Sequence, residues 1–284
     1  MDIEDIVDET VEKIKDLEIQ GAQEIAVESL EVLRDYAEER GFGPGFEEAA
    51  DRLKNARPTG VSAHNCIEYV KRHENLKSLE RILDYLDEAK RKAAKNAADL
   101  IEDGEVIMTH CHSSVVIESF RKAKDDGKNF TVIVTETEPK LQGLKTAKEL
   151  VRADIPIHYI VDSAAGLFMW AADKVFVGVD AVKPDGVLNK IGTYLMSLAA
   201  KEDPEAEFYF LATKDKFDYD NFSEIEERRP DEISHHEELE DPRVMMENPA
   251  FDLTPWACVN GLVTEEGILE EEEVIDLIIE RFEI

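Results

Sequence analysis

Residues 105–135, EVIMTHCHSSVVIESFRKAKDDGKNFTVIVT, set two short apolar runs around a stretch of mixed polarity. The runs over 106–109 and 130–135 read as strands, and the stretch between them predicts a helix near 113–126. The same alternation continues downstream. Strands are expected over 157–161, 174–179 and 207–212, with a weaker one at 258–263. Helices are expected near 143–153, 164–172 and 193–201, and a last one over 271–282. Strands alternating with helices imply βαβ units and a parallel sheet.

Upstream the rhythm is helical. Ile3, Ile6, Val7, Thr10, Val11, Ile14 and Leu17 mark one face of a first helix. Ile25, Ser29, Val32, Leu33 and Tyr36 mark a second, which stops at Gly41, and the GFGPG of 41–45 reads as a loop. A short helix around 63–72 follows the turn at 57–60, and a long amphipathic one runs from Leu76 to about Ile101. The fold class expected is α/β: an N-terminal helical domain over 1–103, then a Rossmann-like parallel-sheet domain over 104–284. Residues 215–250, with an acidic run around 235–240, read as a long loop.

Charge sets bounds on partners. Sixty-five Asp and Glu oppose 33 Lys and Arg, a formal net charge of -32, which repels nucleic-acid phosphates. Such a surface reads either as fitted to a salt-rich cytoplasm, where self-repulsion is screened, or as an ordinary acidic surface. No apolar run approaches the roughly 20 residues of a membrane helix. The N-terminus lacks the basic and apolar regions of a signal peptide, so a cytoplasmic protein is expected. Cys66, Cys111 and Cys258 do not make a disulfide framework in such a chain.

In open parallel sheets ligands lie beyond the C-terminal ends of the strands. Thr109-His110-Cys111-His112-Ser113-Ser114 follows the first strand, placing Cys111 just ahead of a helix. A helix N-terminus lowers a thiol pKa, so Cys111 reads either as a base or nucleophile or as a merely buried cysteine. No metal is expected, because neighbours on an extended chain point to opposite sides and no ligand-spaced partner occurs. Asp162 follows the third strand, where helix capping and a ligand role are equally open. Asp180 follows the fourth; opposite Cys111 it can serve as an acid, and taken alone it reads as a turn or capping residue. Asn189-Lys190 ahead of a helix can bind a phosphate through ammonium charge and helix amides.

MTHCHSS, TETEPKLQG, VDSAA, GVDAV with DGVLNKIGT, and NPAFDLTP, taken in order, resemble one superfamily. It holds ribose-1,5-bisphosphate and methylthioribose-1-phosphate isomerases together with the regulatory subunits of initiation factor 2B. Gln20-Gly21-Ala22 and Arg57 resemble its N-terminal substrate segments, so the likeness covers nearly the whole chain. The resemblance implies Asp180 as acid and Cys111 as base of an aldose–ketose isomerisation in nucleotide salvage, needing neither metal nor organic cofactor. It implies Gln20, Gly21, Ala22, Arg57, Asn189, Lys190 and Lys216 as substrate-binding residues and a homo-oligomer, dimer or hexamer. His112-Ser113-Ser114 are most like the archaeal ribose-1,5-bisphosphate branch. Three departures stand out: Gln20 for the usual Arg, Glu138 for another Arg, and a shorter turn at 184–186. They keep open the alternative of a non-catalytic regulatory protein that senses a nucleotide or sugar phosphate and binds initiation factor 2 subunits.

Overall fold

The computed structural model describes residues 2–57, 59–203, 205–233 and 241–284. Pro58 and the acidic run at 235–240 lie outside the described residues. Five helices come first: α1 Ile3–Lys15, α2 Ala22–Arg40, α3 Pro44–Lys54, α4 Val61–His73 and α5 Leu76–Leu100. Then strands and helices alternate through β1 Val106–Thr109, α6 Ser114–Asp125, β2 Thr131–Thr135, α7 Gln142–Arg152, β3 Ile157–Ile160, α8 Ala165–Phe168 and β4 Lys174–Val177. After β5 Ala181–Lys183 and β6 Gly186–Lys190 come α9 Thr193–Glu202, β7 Glu207–Leu211, β8 Phe251–Thr254, β9 Gly261–Thr264, β10 Gly267–Leu269 and α10 Glu271–Ile279.

Seven strands form one sheet in the order β10-β9-β7-β4-β1-β2-β3. All neighbours are parallel except the terminal β9–β10 pair. The expected α/β class and helical N-terminal region are therefore present. Central strands are covered on both faces, and all four residues of β4 are buried, which is why they read as continuous apolar runs. From β1 the order proceeds to β2 and β3 on one side and to β4, β7 and β9 on the other. The crevice at the C-terminal ends of β1 and β4 is the topological switch point.

Long helix α5 joins the two regions. Its Leu79, Ile82 and Leu86 enter a core built by the first four helices. Its Ala93, Ala94, Ala97 and Ala98 pack in the core that α6 and α7 share with one sheet face. Small alanines there let α5 lie close to the sheet.

Several elements depart from expectation. The GFGPG stretch does not simply loop: Pro44 opens α3, whose Phe46, Ala49, Ala50 and Leu53 are buried. Proline's fixed φ and missing N–H suit the first helical turn. The segment after Asp180 is a hairpin, β5 on β6, and β8 adds a third antiparallel strand. Expected helix 164–172 is broken, with α8 between two 3-10 turns. The weak strand begins later, at Gly261, behind a 3-10 turn at Trp256–Cys258.

Candidate functional site

A cleft of about 760 Å³ opens at the switch point. It is lined by Cys111 and Asp180, by Gln20, Gly21, Ala22 and Arg57, and by Asn189, Lys190 and Lys216. Several routes through the fold bring them there. The residues just after β1 and β4 supply Cys111 and Asp180. The end of β6 supplies Asn189 and Lys190. Arg57 stands between α3 and α4, and the 3-10 turn Lys214–Lys216 after β7 delivers the lysine.

Close packing fixes the floor. Gly178 lies against the start of α6, where a Cβ at its position would come within 2.5 Å of the Ser113 Cβ. Only glycine allows that approach. Ser113 precedes α6 without capping it, and its buried hydroxyl has no partner among the described residues. The first amides of α6 also lack intrahelical partners, so this end of the cleft carries donors suited to an anion.

The start of α9 does not, contrary to expectation. Asp252 on β8 accepts from the Gly192 amide at 2.7 Å and the Tyr194 amide at 3.1 Å. A carboxylate already occupies the positive end of that helix, leaving the Lys190 side chain without helix amides as co-ligands for a phosphate. Lys190 itself is 7 % exposed and lines the cleft. Asn189 donates to the Thr193 hydroxyl at 3.0 Å.

The Cys111 thiol corrects a second expectation. Burial pushes it up to about 11, while the charges of Lys190 and Arg57 pull it down and Asp180 pushes it up. Desolvation outweighs the helix terminus, and the thiol is held neutral near pH 7. Alkylation of Cys111 by iodoacetamide, followed in a Cys258→Ser background, is therefore expected to quicken about tenfold per pH unit well past the ordinary thiol range of about 8.5. A midpoint at that ordinary value would contradict this reading. Asp180 is likewise raised, first by burial and then by Glu226, against the lowering charges of Arg57, Lys216 and Lys190. An elevated carboxyl suits a proton donor. Burial lowers the Lys216 ammonium, which donates to the Val179 carbonyl at 2.9 Å.

Arg57 belongs to a chain of alternating charges along the cleft wall. Its Nε lies 3.4 Å from Glu226, which pairs with Arg228 at 2.9 Å; Arg228 pairs with Glu232 at 2.7 Å, and Glu232 with Lys140 at 3.1 Å. The Arg57 guanidinium also lies over the Phe251 ring. Arg228, Glu232 and Lys140 line the cleft, but nothing in the irregular 215–250 stretch marked the first two. Ser113, by contrast, sits inside the HCHSS segment and was within reach of a cap-position argument.

Gln20 is exposed, and its amide donates back to the Leu17 carbonyl at 2.5 Å. Glu138 is also exposed and does not line the cleft, so its charge stands outside the wall. Asp162 resolves to neither a cap nor a lining residue. Its carboxylate accepts from the amides of Thr137 at 2.8 Å and Glu138 at 2.7 Å, clamping the loop after β2.

A family model described as the initiation factor 2 subunit family matches residues 18–271. A ribose 1,5-bisphosphate isomerase of Pyrococcus furiosus is 38% identical, over 96% of this chain and 93% of its own length. The crystal structure of the Pyrococcus horikoshii translation initiation factor eIF-2B superposes with a TM-score of 0.81 at 33% identity, covering 93% of this chain and 96% of that one. A 5-methylthioribose 1-phosphate isomerase structure from the same organism gives 0.78 at 28% identity, covering 95% and 87%.

Proposed function

The chain belongs to the initiation factor 2 subunit family, and on that premise we propose that it is an aldose–ketose isomerase converting ribose 1,5-bisphosphate to ribulose 1,5-bisphosphate. The observation that carries this reading is the meeting of Cys111 and Asp180 in one cleft walled by Arg57, Lys190 and Lys216. Three cations beside an acid and a base suit a doubly phosphorylated sugar.

The chemistry runs as two balanced proton exchanges. Asp180, as the carboxylic acid, gives its proton to the furanose ring oxygen as the bond from C1 to that oxygen breaks. The Cys111 thiolate takes the hydrogen of C2 as a proton, and its electron pair forms the double bond of an enol phosphate. The 2-hydroxyl then returns a proton to the Asp180 carboxylate, C2 becomes a carbonyl, and C1 takes the proton held by Cys111. Phosphate remains on C1 throughout, and acid and thiolate are regenerated. Lys190 and Arg57 oppose the cost of burying the thiolate. Orphan donors at Ser113 and the start of α6 offer one phosphate site, with Arg57 and Lys190 for charge.

A substrate panel tests the reading. Ribose 1,5-bisphosphate should turn over with kcat/KM at least about tenfold above that for methylthioribose 1-phosphate, since each lost charge-assisted hydrogen bond costs about 1.5–3 kcal/mol. Preference for the methylthioribose compound would move the protein to the other isomerase branch. Inertness toward both, with co-purifying initiation factor 2 subunits, would favour the regulatory alternative.

Pairing of two copies through the α8–α9 face belongs to the same proposal. No helix of the described residues is long and apolar enough to cross a membrane, yet Leu167, Trp170 and Leu195 stand 70, 76 and 71 % exposed on adjoining elements. Exposed large side chains on adjoining elements suit an association surface. The double variant Trp170→Asp, Leu195→Asp is expected to halve the mass seen by light scattering at high salt. An unchanged mass would place the interface elsewhere.

A further inference from the structure

Cys111 in the cleft and the fully buried Thr137 behind it adopt a backbone that side chains rarely tolerate. Cys111 has φ 67 and Thr137, which is β-branched, has φ 63. A left-handed β-branched residue is a genuine outlier, held only where its surroundings over-determine it. The two residues hold each other, because the Cys111 amide donates to the Thr137 hydroxyl at 2.9 Å.

From there the hydrogen bonds run in one direction. The Thr137 hydroxyl, having accepted from Cys111, has Thr135 Oγ1 at 3.3 Å and the Thr135 carbonyl at 3.4 Å as its own acceptors. Thr135 Oγ1 lies 2.6 Å from Nδ1 of His110, and His110 Nε2 lies 2.9 Å from the Ile191 carbonyl. A carbonyl can only accept, so Nε2 carries the proton, Nδ1 accepts, and Thr135 donates to it. Burial lowers the His110 imidazole, which keeps the ring in this neutral form. The chain thus leads from the Cys111 amide to the residue after Lys190. On its other side the Cys111 carbonyl accepts from the Thr146 hydroxyl at 2.8 Å, so both ends of the residue are pinned.

We propose that Thr137, Thr135 and His110 are positioning residues that lock Cys111 in its left-handed conformation and tie it to the strand end carrying Lys190. Thr135 and Thr137 lie behind the cleft lining and His110 is 2 % exposed at its edge, so the three act through Cys111. The inference rests on the isomerase reading for its consequence in turnover, but the lock itself is a property of Cys111 and is measurable without substrate. The charged groups that bear on the Cys111 thiol are Lys190, Arg57 and Asp180, and none of them is altered by changing Thr137.

The experiment compares wild type, Thr137→Val, Thr137→Ser and Thr135→Val in the Cys258→Ser background. Valine keeps the shape and branching of threonine and removes only the hydroxyl. Released from the lock, the Cys111 thiol turns toward water. Its iodoacetamide midpoint is expected to fall at least one pH unit below that of wild type in both valine variants. Serine, which keeps the hydroxyl, restores the wild-type midpoint. In turnover of ribose 1,5-bisphosphate, kcat falls at least tenfold in the valine variants while KM stays within twofold. Unchanged midpoint and unchanged kcat in folded Thr137→Val would overturn the proposal. A wild type inert to the bisphosphate would sink the isomerase reading alone, because the midpoint comparison still decides the lock. Should Thr137→Val fail to fold, the same two outcomes are read from Thr135→Val.

Discussion

Replacing Cys111 by serine is expected to lower kcat at least about 10³-fold, with KM for the bisphosphate little changed. A positioned general base contributes typically 10²–10⁴-fold, and an alkoxide is far harder to form than the thiolate even of a thiol raised to about 11. Serine is close in shape, so the cleft and its cations stay in place and binding persists. Asp180→Asn is expected to behave alike, since an amide fills the carboxyl's space but has no proton to give at neutral pH. Combining the two should cost little more than the worse single change, because acid and base serve one passage through the enol. A Cys111→Ser enzyme retaining a tenth of wild-type kcat would remove the base from that residue. The readout is initial-rate kinetics on folded proteins of matched circular dichroism.

The second large effect belongs to Lys190. Lys190→Met is expected to lower kcat/KM about 10²-fold, from two causes with one sign. A charge-assisted hydrogen bond to a phosphate is worth about 1.5–3 kcal/mol, or 10- to 150-fold. The ammonium is also the largest charge holding the Cys111 thiol down, so its removal drives the thiol further up and thins the thiolate. Its loss should therefore raise the alkylation midpoint as well as KM. A fall in affinity with no movement of the midpoint would confine Lys190 to phosphate binding. No change in either would take it out of the site.

Much of this fold was legible in sequence because a parallel sheet buries its strands on both faces. Ile107, Val132, Val134, Val175 and Phe176 are fully buried and stand in runs that no loop would carry. Elements held by tertiary partners were not legible. Asn189 and Lys190 are polar yet buried in β6, because β8 pairs them with Asp252 and Phe251 from more than 60 residues away. Helix α3 hides behind two glycines that flank Pro44, although the proline itself is a sound helix start.

The candidate residues were legible as a set, since strand ends in such a sheet converge on one crevice. Their electrostatics were not. A helix N-terminus beside Cys111 argues for a lowered thiol, but the sign depends on how deeply the cleft withdraws it from water. Likewise Asn189-Lys190 ahead of α9 argued for helix amides, and only the fold reveals that Asp252 holds them. Glu226 and Arg228, which hold Arg57 in the wall, come from a stretch without periodicity.

The most direct test follows ribose 1,5-bisphosphate by phosphorus and proton magnetic resonance, in deuterated buffer at high salt, with the wild-type protein. The account predicts ribulose 1,5-bisphosphate in which C1 holds the hydrogen carried over from C2, formed without release of inorganic phosphate and absent with Cys111→Ser. Persistence of the aldose with a correctly folded wild type, or release of phosphate instead of ketose, would contradict it.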